Sequence, residues 1–495
     1  MEQEECQYKI TPRSKNYSEW YLDIIEAAEL AENSPVKGCI VFKPNGYAIW
    51  ENVQKILDAM LKSKGVRNAY FPLLIPKSFF EKEAEHVKGF AKECAVVTHH
   101  RLVAKDKKLI PAGLLEEPYI IRPTSETIIY HTYAKWIQSY RDLPLILNQW
   151  ANVMRWELRT RPFLRTTEFL WQEGHTAHST KKEADEMTRD ILELYHNFVE
   201  DYLAIPAITG IKTENEKFAG AVYTATIEGM MQDGKALQLA TSHMLGQNFA
   251  KAFNIKFADE KGLEQYVWQT SWGMSTRVIG ALIMTHSDDK GLVLPPKIAS
   301  TPIVIVPIWD KNYEKEPIVA KAKETADKII SETNYNVYID ERDKRPGSKF
   351  YEWERKGTPL RIEIGPRDVK NNTVVAVRRD TGVKTEIHIN TLIKEIKILL
   401  DDIQLNLYNR AKQYSQELTV QVNSYKDLKN RFTKSEQDGF INAYWCGDSK
   451  CEDKVKEETT ATIRCILDEK EKSEESKCVV CGKRASKKVI FAKAY

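Results

Sequence analysis

The stretch Val153–His175, VMRWELRTRPFLRTTEFLWQEGH, decides the fold. Arg155 and Glu157 are two apart, so on a strand their side chains share one face. Arg165 and Glu168-Phe169 follow after a short loop carrying Arg159 and Arg161, and Trp171-Gln172-Glu173-Gly174-His175 alternates again. The pattern predicts two strands joined by a loop. Arginines on a rigid strand grip carboxylate or phosphate in a bidentate way that lysine does not reproduce. A neighbouring aromatic offers a face to a flat base, and nearby carboxylates accept an ammonium group, a ribose hydroxyl or a metal. Arg155, Glu157, Arg165 and Phe169 therefore suit a nucleotide lying along the sheet. For any single Arg-x-Glu pair the plain alternative is a cross-strand salt bridge on an exposed face.

The chain has 495 residues, 42% hydrophobic and 29% charged, the composition of a soluble globular protein. That length is a soft prior for about three or four domains. Its 73 basic and 70 acidic residues leave a net charge of +3, so any nucleic-acid contact rests on local patches. The N-terminal MEQEECQYKITPRSKNYSEWY carries no apolar signal core. No 18-residue apolar run occurs, which excludes a membrane-spanning helix. Of eight cysteines, Cys6, Cys39 and Cys94 are scattered and five lie after residue 440. A reducing, cytoplasmic compartment fits this usage, with the C-terminal cluster read as a metal site.

Apolar positions Trp20, Tyr21, Ile24, Ile25, Ala28 and Leu30 predict a helix over 17–34. FKPNGYAIW (42–50) holds a turn signal and leads into a second amphipathic helix ended by Gly65. AYFPLLIP (69–76) reads as a short strand, kept at an edge or interface by Pro72. YIIRPTSETIIYHTYAKWIQSY passes from strand into helix, a charged helix covers 181–203, and AGAVYTATIEGMMQDGKALQLATSH (219–243) makes a hairpin about Asp233-Gly234. Together they predict an α+β body of about 290 residues, an antiparallel β-sheet flanked by helices. Pro295-Pro296 ends it. Alternating strands and helices then form an α/β module of about 110 residues with a mixed sheet. From 405 a charged helix leads into a cysteine-rich α/β tail. The expected boundaries are 1–297, 298–404 and 405–495.

Arg155-Trp156-Glu157, a loop and Arg165–Phe169 resemble motif 2 of the class II aminoacyl-tRNA synthetases. ENVQKILDAMLKSKGVRNAYFPLLIP resembles motif 1, with Pro72 as its proline, and SWGMSTRVIGALIMTH (271–286) resembles motif 3, with Arg277 at the junction. Motif 3 departs from the glycine-rich pattern, having only Gly273 before MSTR. Class I signatures are absent. RPTSET (122–127), FLWQEGHTA (169–177), KFAGAVYT (217–224) and TSHMLGQNF (241–249) resemble the prolyl-tRNA synthetase family, and the likeness to its archaeal/eukaryotic type runs nearly the whole chain to Tyr495. The resemblance implies the class II fold and a proline–tRNA ligase. Such an enzyme uses ATP with Mg²⁺ to form prolyl-adenylate from L-proline, then acylates the 3′ end of tRNA(Pro). It implies that Thr124 and Glu126 hold the imino nitrogen and that catalytic Arg155 holds the reacting carboxylate and α-phosphate. Trp171, Glu173, His175, Phe218, His243 and Ser275 then line the pyrrolidine pocket. Arg165 and Arg277 clamp phosphates, adenine lies between Phe169 and Arg277, and Glu157, Gln238 and Thr241 contact base and sugar. Motif 1 further implies a homodimer. Taken singly, His175 and His243 read as satisfied structural histidines, Trp171 and Phe218 as core aromatics, and Thr124 as a helix cap. Their joint occurrence in family order favours the site.

Residues 300–400 resemble the anticodon-binding domain of this class. DERDKRPGSKFYEWERKGTPLRIEIG (340–365) mixes seven Lys/Arg with Phe350, Tyr351 and Trp353, groups suited to unpaired bases. Lys356, Arg361 and Glu363 are the candidates there. In the tail, Cys446-x4-Cys451 and Cys478-x2-Cys481-Gly482 match a tetrahedral thiolate site for a structural Zn²⁺, leaving Cys465 as a buried thiol. The span between His175 and Ser271 is too short for an editing insertion. Two alternatives are a threonyl-type enzyme and a non-catalytic tRNA-binding relative. The former uses a core cysteine that the motif 2–3 region lacks; the latter does not need the four charged motif residues.

Overall fold

The computed structural model describes residues 9–81, 93–309, 313–434, 437–467, 476–485 and 487–495. Cys6 and most of the Lys/Glu-rich run 466–477 lie outside them. Helix α1 (Tyr17–Ala27) begins at Asn16, whose side chain accepts from the Ser18 and Glu19 amides. It ends before the expected 34 because Glu29 takes a positive φ of 54°, which stops a helix. Ala31–Asn33 (β1) then pairs with Ile40–Phe42 (β2). The expected turn at 44–46 is instead the start of α2 (Pro44–Ser63), with Pro44 in its first turn, where a missing N–H costs nothing. The expected strand over 69–76 is split into β3 (Arg67–Asn68) and β4 (Leu74–Pro76). Pro72 has no amide for a ladder, and the Phe71 amide bonds the Gln149 side chain at 2.9 Å.

After α3 (Lys77–Glu81) come β5 (Ala95–Lys105) and β6 (Lys108–Ile121), a long hairpin whose alternation alone did not reveal it. Asp106 and Lys107 at its tip both have positive φ, as a tight primed turn requires. Then follow α4 (Glu126–Trp136), β7 (Leu145–Met154), β8 (Glu168–His178), α5 (Lys181–Asp201), β9 (Ala207–Ile211), β10 (Tyr223–Met230), β11 (Ala236–Gly246), α6 (Asn248–Ala252), β12 (Lys256–Ala258), β13 (Glu264–Tyr266), β14 (Trp268–Ser275) and α7 (Arg277–His286). Strands β9-β10-β11-β14-β8-β7 form the expected antiparallel sheet, with β3 added in parallel at the β7 edge. One face is apolar: Leu239, Ala240, Trp272 and Met274 pack with Ile191 and Tyr195 of α5 and with Ile279 and Ile283 of α7. Gly174 is required there, since a Cβ would sit 2.0 Å from the Trp272 ring.

The second module holds β15 (Ile303–Pro307), α8 (Lys315–Glu332), β16 (Val337–Ile339), α9 (Pro346–Arg355), β17 (Leu360–Ile364), α10 (Pro366–Asn371), β18 (Thr373–Arg378) and β19 (Lys384–His388). Its sheet is mixed, in the order β16-β15-β17-β18-β19, with the first three strands parallel. Arg379 locks it to the first body through two bonds to Asp288, of 2.7 and 2.8 Å. Helix α11 (Leu392–Leu418) runs unbroken through the expected boundary at 404, where Gln404 bonds the carbonyls of Asp201 and Tyr202.

The tail contains β20 (Thr419–Gln421), α12 (Tyr425–Lys434), β21 (Phe440–Trp445), α13 (Ser449–Thr459), β22 (Thr462–Ile466) and β23 (Lys487–Ala492). Its sheet does not stand apart. Ile466 on β22 pairs with Ile211 on β9, so among the described residues the sheet of the first body continues into the tail as one sheet of 11 strands.

Candidate active site

Cross-strand register assembles the polar face of the sheet. Glu173 lies opposite Gln149 and Gly273, His175 opposite Leu147 and Ser271, and Trp171 opposite Ala151 and Ser275. Ser271 faces His243, which faces Thr224, while Thr241 lies opposite Gly273. Because side chains on paired strands alternate in step, Trp171, Glu173, His175, Thr241, His243, Ser271 and Ser275 share one face. Among the described residues, Trp171 Nε1 and Ser271 Oγ are buried there without a hydrogen-bond partner; groups of that kind await a ligand or water.

At one end, Thr124 and Glu126 open the turn into α4, and the Thr124 hydroxyl donates to the Glu126 carboxylate. Both are buried. Helix α4 takes Ser125 rather than Thr124 as its N-terminal flanking residue, so Thr124 does not cap it. Glu173 accepts from Ser125 Oγ at 2.5 Å, Gln149 Nε2 at 2.5 Å and His175 Nε2 at 3.1 Å. Burial opposes its ionisation, but these bonds and the neighbouring imidazole outweigh it and hold the carboxyl below its usual range. Glu173 thus supports the wall from behind, with its oxygens occupied. Tyr130 braces His175 through a 3.2 Å bond to Nδ1. Phe218 stacks on His243 at 4.5 Å, and His243 is held by Thr224 and Thr241 at 2.9 and 3.1 Å.

Burial, and then the neighbouring His175, pushes His243 down to about 3. Burial likewise sets His286 to about 3 and His178 to about 4. These bases are neutral in the folded chain but bind protons near 6.5 when unfolded. Stability is therefore complete above about pH 6.5 and is lost as the pH falls through that value toward 3–4, at about 1.4 kcal/mol per histidine per unit. The melting temperature should drop steadily from pH 7 to pH 5. A flat profile would refute the neutral assignment.

At the other end the expectation for Arg155 and Glu157 needs correction. Strand β7 stops at Met154, so the two do not share a strand face. The Arg155 amide bonds the Thr167 carbonyl at 2.8 Å and that of Trp156 bonds Glu93 at 2.9 Å, pulling the backbone out of the ladder. Arg155 nevertheless enters the site. Its Nε donates to the Pro123 carbonyl at 2.8 Å, and its guanidinium lies 5.4 and 5.5 Å from the rings of Phe169 and Trp171. Burial lowers its pKa, with Glu126, Glu93 and Glu173 opposing. Arg277 opens α7 and donates through Nε to the Leu164 carbonyl at 3.3 Å. Burial first, then repulsion from Arg155 and Arg165, brings it down to about 10. Cations that repel one another at a half-buried cleft are prepared for an anion. Arg165 is exposed, in the loop rather than on a strand, 3.9 Å from Glu157; Glu157 also accepts from the Arg159 amide at 2.9 Å. Gln238 lies opposite Glu228 at the register shift in β10. Arg155, Arg277, Trp171, Glu173, His175 and His243 thus come together, while Glu157 and Arg165 stay with the loop. Sequence reading missed Ser125, Gln149 and Tyr130, which brace Glu173 and His175; the period-two alternation of LILNQW was the available signal for Gln149.

The three candidates in the second module are engaged within the protein. Lys356 pairs with Glu29 of the first body at 2.8 Å and with Glu352 at 3.1 Å. Arg361 lies 4.3 Å over Phe350 and bonds Glu363 at 2.8 Å, and Lys384 bonds the same carboxylate. Trp353 is buried, with Nε1 bonded to Asp340, whereas Tyr351 is exposed. A cleft of about 370 Å³ opens beside them, lined among others by Phe350, Tyr351, Arg361, Arg378 and Lys384.

In the tail, Cys446, Cys451, Cys478 and Cys481 bring their sulfurs within 4.8 Å of one another. Cys446 lies 3.7 Å from Cys451 and 3.8 Å from Cys481. Four thiolates around a zinc at about 2.3 Å stand about 3.8 Å apart at the corners of a tetrahedron, so the residues fit that ion. Cys465 is buried outside the group, as expected, its thiol pushed up to about 12 by burial.

Three family models match the chain. Residues 113–286 match the tRNA synthetase class II core domain (G, H, P, S and T), 302–399 an anticodon binding domain, and 429–495 the prolyl-tRNA synthetase C-terminal domain. Proline--tRNA ligases of Porphyromonas gingivalis and Phocaeicola vulgatus are each 55% identical, covering 98% of this chain and 99% of the relative. The crystal structure of the prolyl-tRNA synthetase from Cryptosporidium parvum, complexed with halofuginone and AMPPNP, is 42% identical and superposes with a TM-score of 0.91 over 98% of this chain and 99% of that one. On this fold, this site and these relatives, the chain belongs to the prolyl-tRNA synthetase family of class II aminoacyl-tRNA synthetases.

Proposed function

We propose that the protein is a proline–tRNA ligase: it activates L-proline with ATP and passes the prolyl group to the 3′ end of tRNA(Pro). The observation that supports this best is the gathering of Arg155, Arg277 and Glu126, from three separate segments, beside the sheet face that carries Trp171, Glu173 and His175. A carboxylate and a triphosphate repel each other, so the protein's task is to neutralise charge and fix an in-line geometry, with no covalent enzyme intermediate. Thr124 and Glu126 accept the imino cation. Trp171, His175, Phe218, His243 and Ser275 enclose the ring, with Glu173 anchoring His175. Arg155, beside the rings of Phe169 and Trp171, meets both the carboxylate and the α-phosphate. Arg165 and Arg277 take the remaining phosphates, with Phe169 under adenine and Glu157, Gln238 and Thr241 on base and sugar. Mg²⁺ arrives with ATP and offsets phosphate charge. Zn²⁺ on the four cysteines serves the fold of the tail. Pyrophosphate exchange across all amino acids tests the assignment: proline alone should support it, and exchange with threonine or with none would overturn it.

The divisions 1–297, 298–404 and 405–495 serve as catalytic, anticodon-binding and zinc-binding units, with Lys356, Arg361 and Glu363 meeting the anticodon loop once their internal partners yield. No described helix is long and apolar enough to cross a membrane, and the reading places the enzyme in the cytoplasm. It acts as a homodimer. The β5–β6 hairpin supports this, because Val96, Leu102, Leu109 and Leu114 are all exposed along its two faces, apolar surface that a second copy would cover. Leu109→Asp with Leu114→Asp should shift the sedimenting species from dimer to monomer; an unchanged dimer would remove the hairpin from the interface.

A further inference from the structure

Two cations meet one carboxylate at the strand position opposite Gln238, which the proposed function places on the nucleotide. Glu228 on β10 is fully buried beside the register shift at Ile227/Glu228. Lys212, just past β9, donates to its Oε1 at 2.7 Å, and Thr226 Oγ1 donates to the same oxygen at 2.9 Å. Arg464, on β22 of the tail, reaches Oε2 with Nε and with Nη2, both at 3.1 Å. Lys212 and Arg464 are buried too. One lysine already balances one glutamate, so Arg464 adds a buried positive charge, which is costly unless something uses it. Joining the two bodies does not require it. Thr213 and Asn215 hold Glu452 across the same seam at 2.8 and 3.2 Å, and Gly210 packs so closely on Cys465 that a Cβ would lie 2.9 Å from its sulfur. The register carries the cluster toward Arg277: Glu228 pairs with Gln238 on β11, and β11 pairs at Ala240 with Met274, three residues before Arg277 opens α7; there Glu228 attracts the Arg277 guanidinium and Arg464 repels it.

We propose that Arg464 is a positioning residue for ATP, supplied by the tail: it occupies the Glu228 carboxylate so that Arg277 is left to the phosphates. With Lys212 and Arg464 both in place, Glu228 is shared between two cations and its pull on Arg277 is weakened. Without Arg464 the carboxylate turns to Arg277 and competes with the nucleotide. The tail thereby contributes to the reaction while touching no substrate.

This inference depends on the reading of Arg277 as a phosphate clamp, and pyrophosphate exchange by the full chain separates the two. If the unmodified protein shows no proline-dependent exchange, the functional reading fails. If it does, Arg464→Met should raise the KM for ATP about tenfold and leave the KM for proline within about twofold. Arg464→Lys, which keeps the charge, should restore most of the ATP affinity. Thr213→Val cuts the same seam without altering charge and should leave the ATP KM unchanged. Should Arg464→Met fail to fold, Lys212→Met tests the same carboxylate and should show the same split. An unchanged ATP KM in folded Arg464→Met, equal rises in both KM values, or an equal effect from Thr213→Val would each reduce Arg464 to a structural link.

Discussion

Arg155→Ala is expected to abolish proline-dependent pyrophosphate exchange, a loss of about 10³-fold or more, while the chain stays folded. Arg155 brings a guanidinium to the centre of the site, bonded to the Pro123 carbonyl and lying by Phe169 and Trp171. No other described arginine stands in that position, since Arg165 is exposed and Arg277 is anchored to Leu164. Losing one backbone bond and two ring contacts costs about 1–3 kcal/mol of stability. The melting temperature therefore shifts modestly while the activity disappears. Arg155→Lys keeps the charge without the planar fork and should recover only a small part of the rate. Near-normal exchange by a folded Arg155→Ala protein would sink the proposed mechanism.

Cys478→Ser should have the second large effect, on metal content and stability together. Cys478 is buried, and its sulfur is one of four within 4.8 Å. In small zinc domains the bound ion carries roughly 10–16 kcal/mol of folding free energy at neutral pH. Without the fourth thiolate the protein should purify with little zinc by elemental analysis, and its thermal unfolding should start at a lower temperature. The damage should not stay local. Strand β22 continues the catalytic sheet beyond β9 through Ile466 and Ile211 and carries Arg464 to Glu228. Loss of the tail's fold therefore bares a sheet edge beside the active site. Stoichiometric zinc and an unchanged melting curve in Cys478→Ser would refute the site.

Local chemistry made much of this legible before any coordinates. Alternation in FLWQEGH placed Trp171, Glu173 and His175 on one face of β8, and they are there. The Asp233-Gly234 turn, the motif order and the two short cysteine spacings were equally local signals, because each depends on residues a few positions apart. Errors arose where a distant contact overrode a local pattern. The first helix stops at Ala27 although its apolar stripe continues, since residues 31–33 find a strand partner at 40–42. Arg155 leaves its strand because the Thr167 carbonyl and Pro123 hold it elsewhere.

The sequence by itself determined the family, the motif residues and the clustered cysteines Cys446, Cys451, Cys478 and Cys481, all carried by short spacings and residue chemistry. Tertiary structure alone decided which polar groups support them. Gln149 and Ser125 saturate Glu173, Lys356 is drawn into an ion pair with Glu29, and Arg464 comes 236 residues along the chain to Glu228. Pairing register and sheet continuation are long-range choices, set by how whole faces bury together, and no local window contains them.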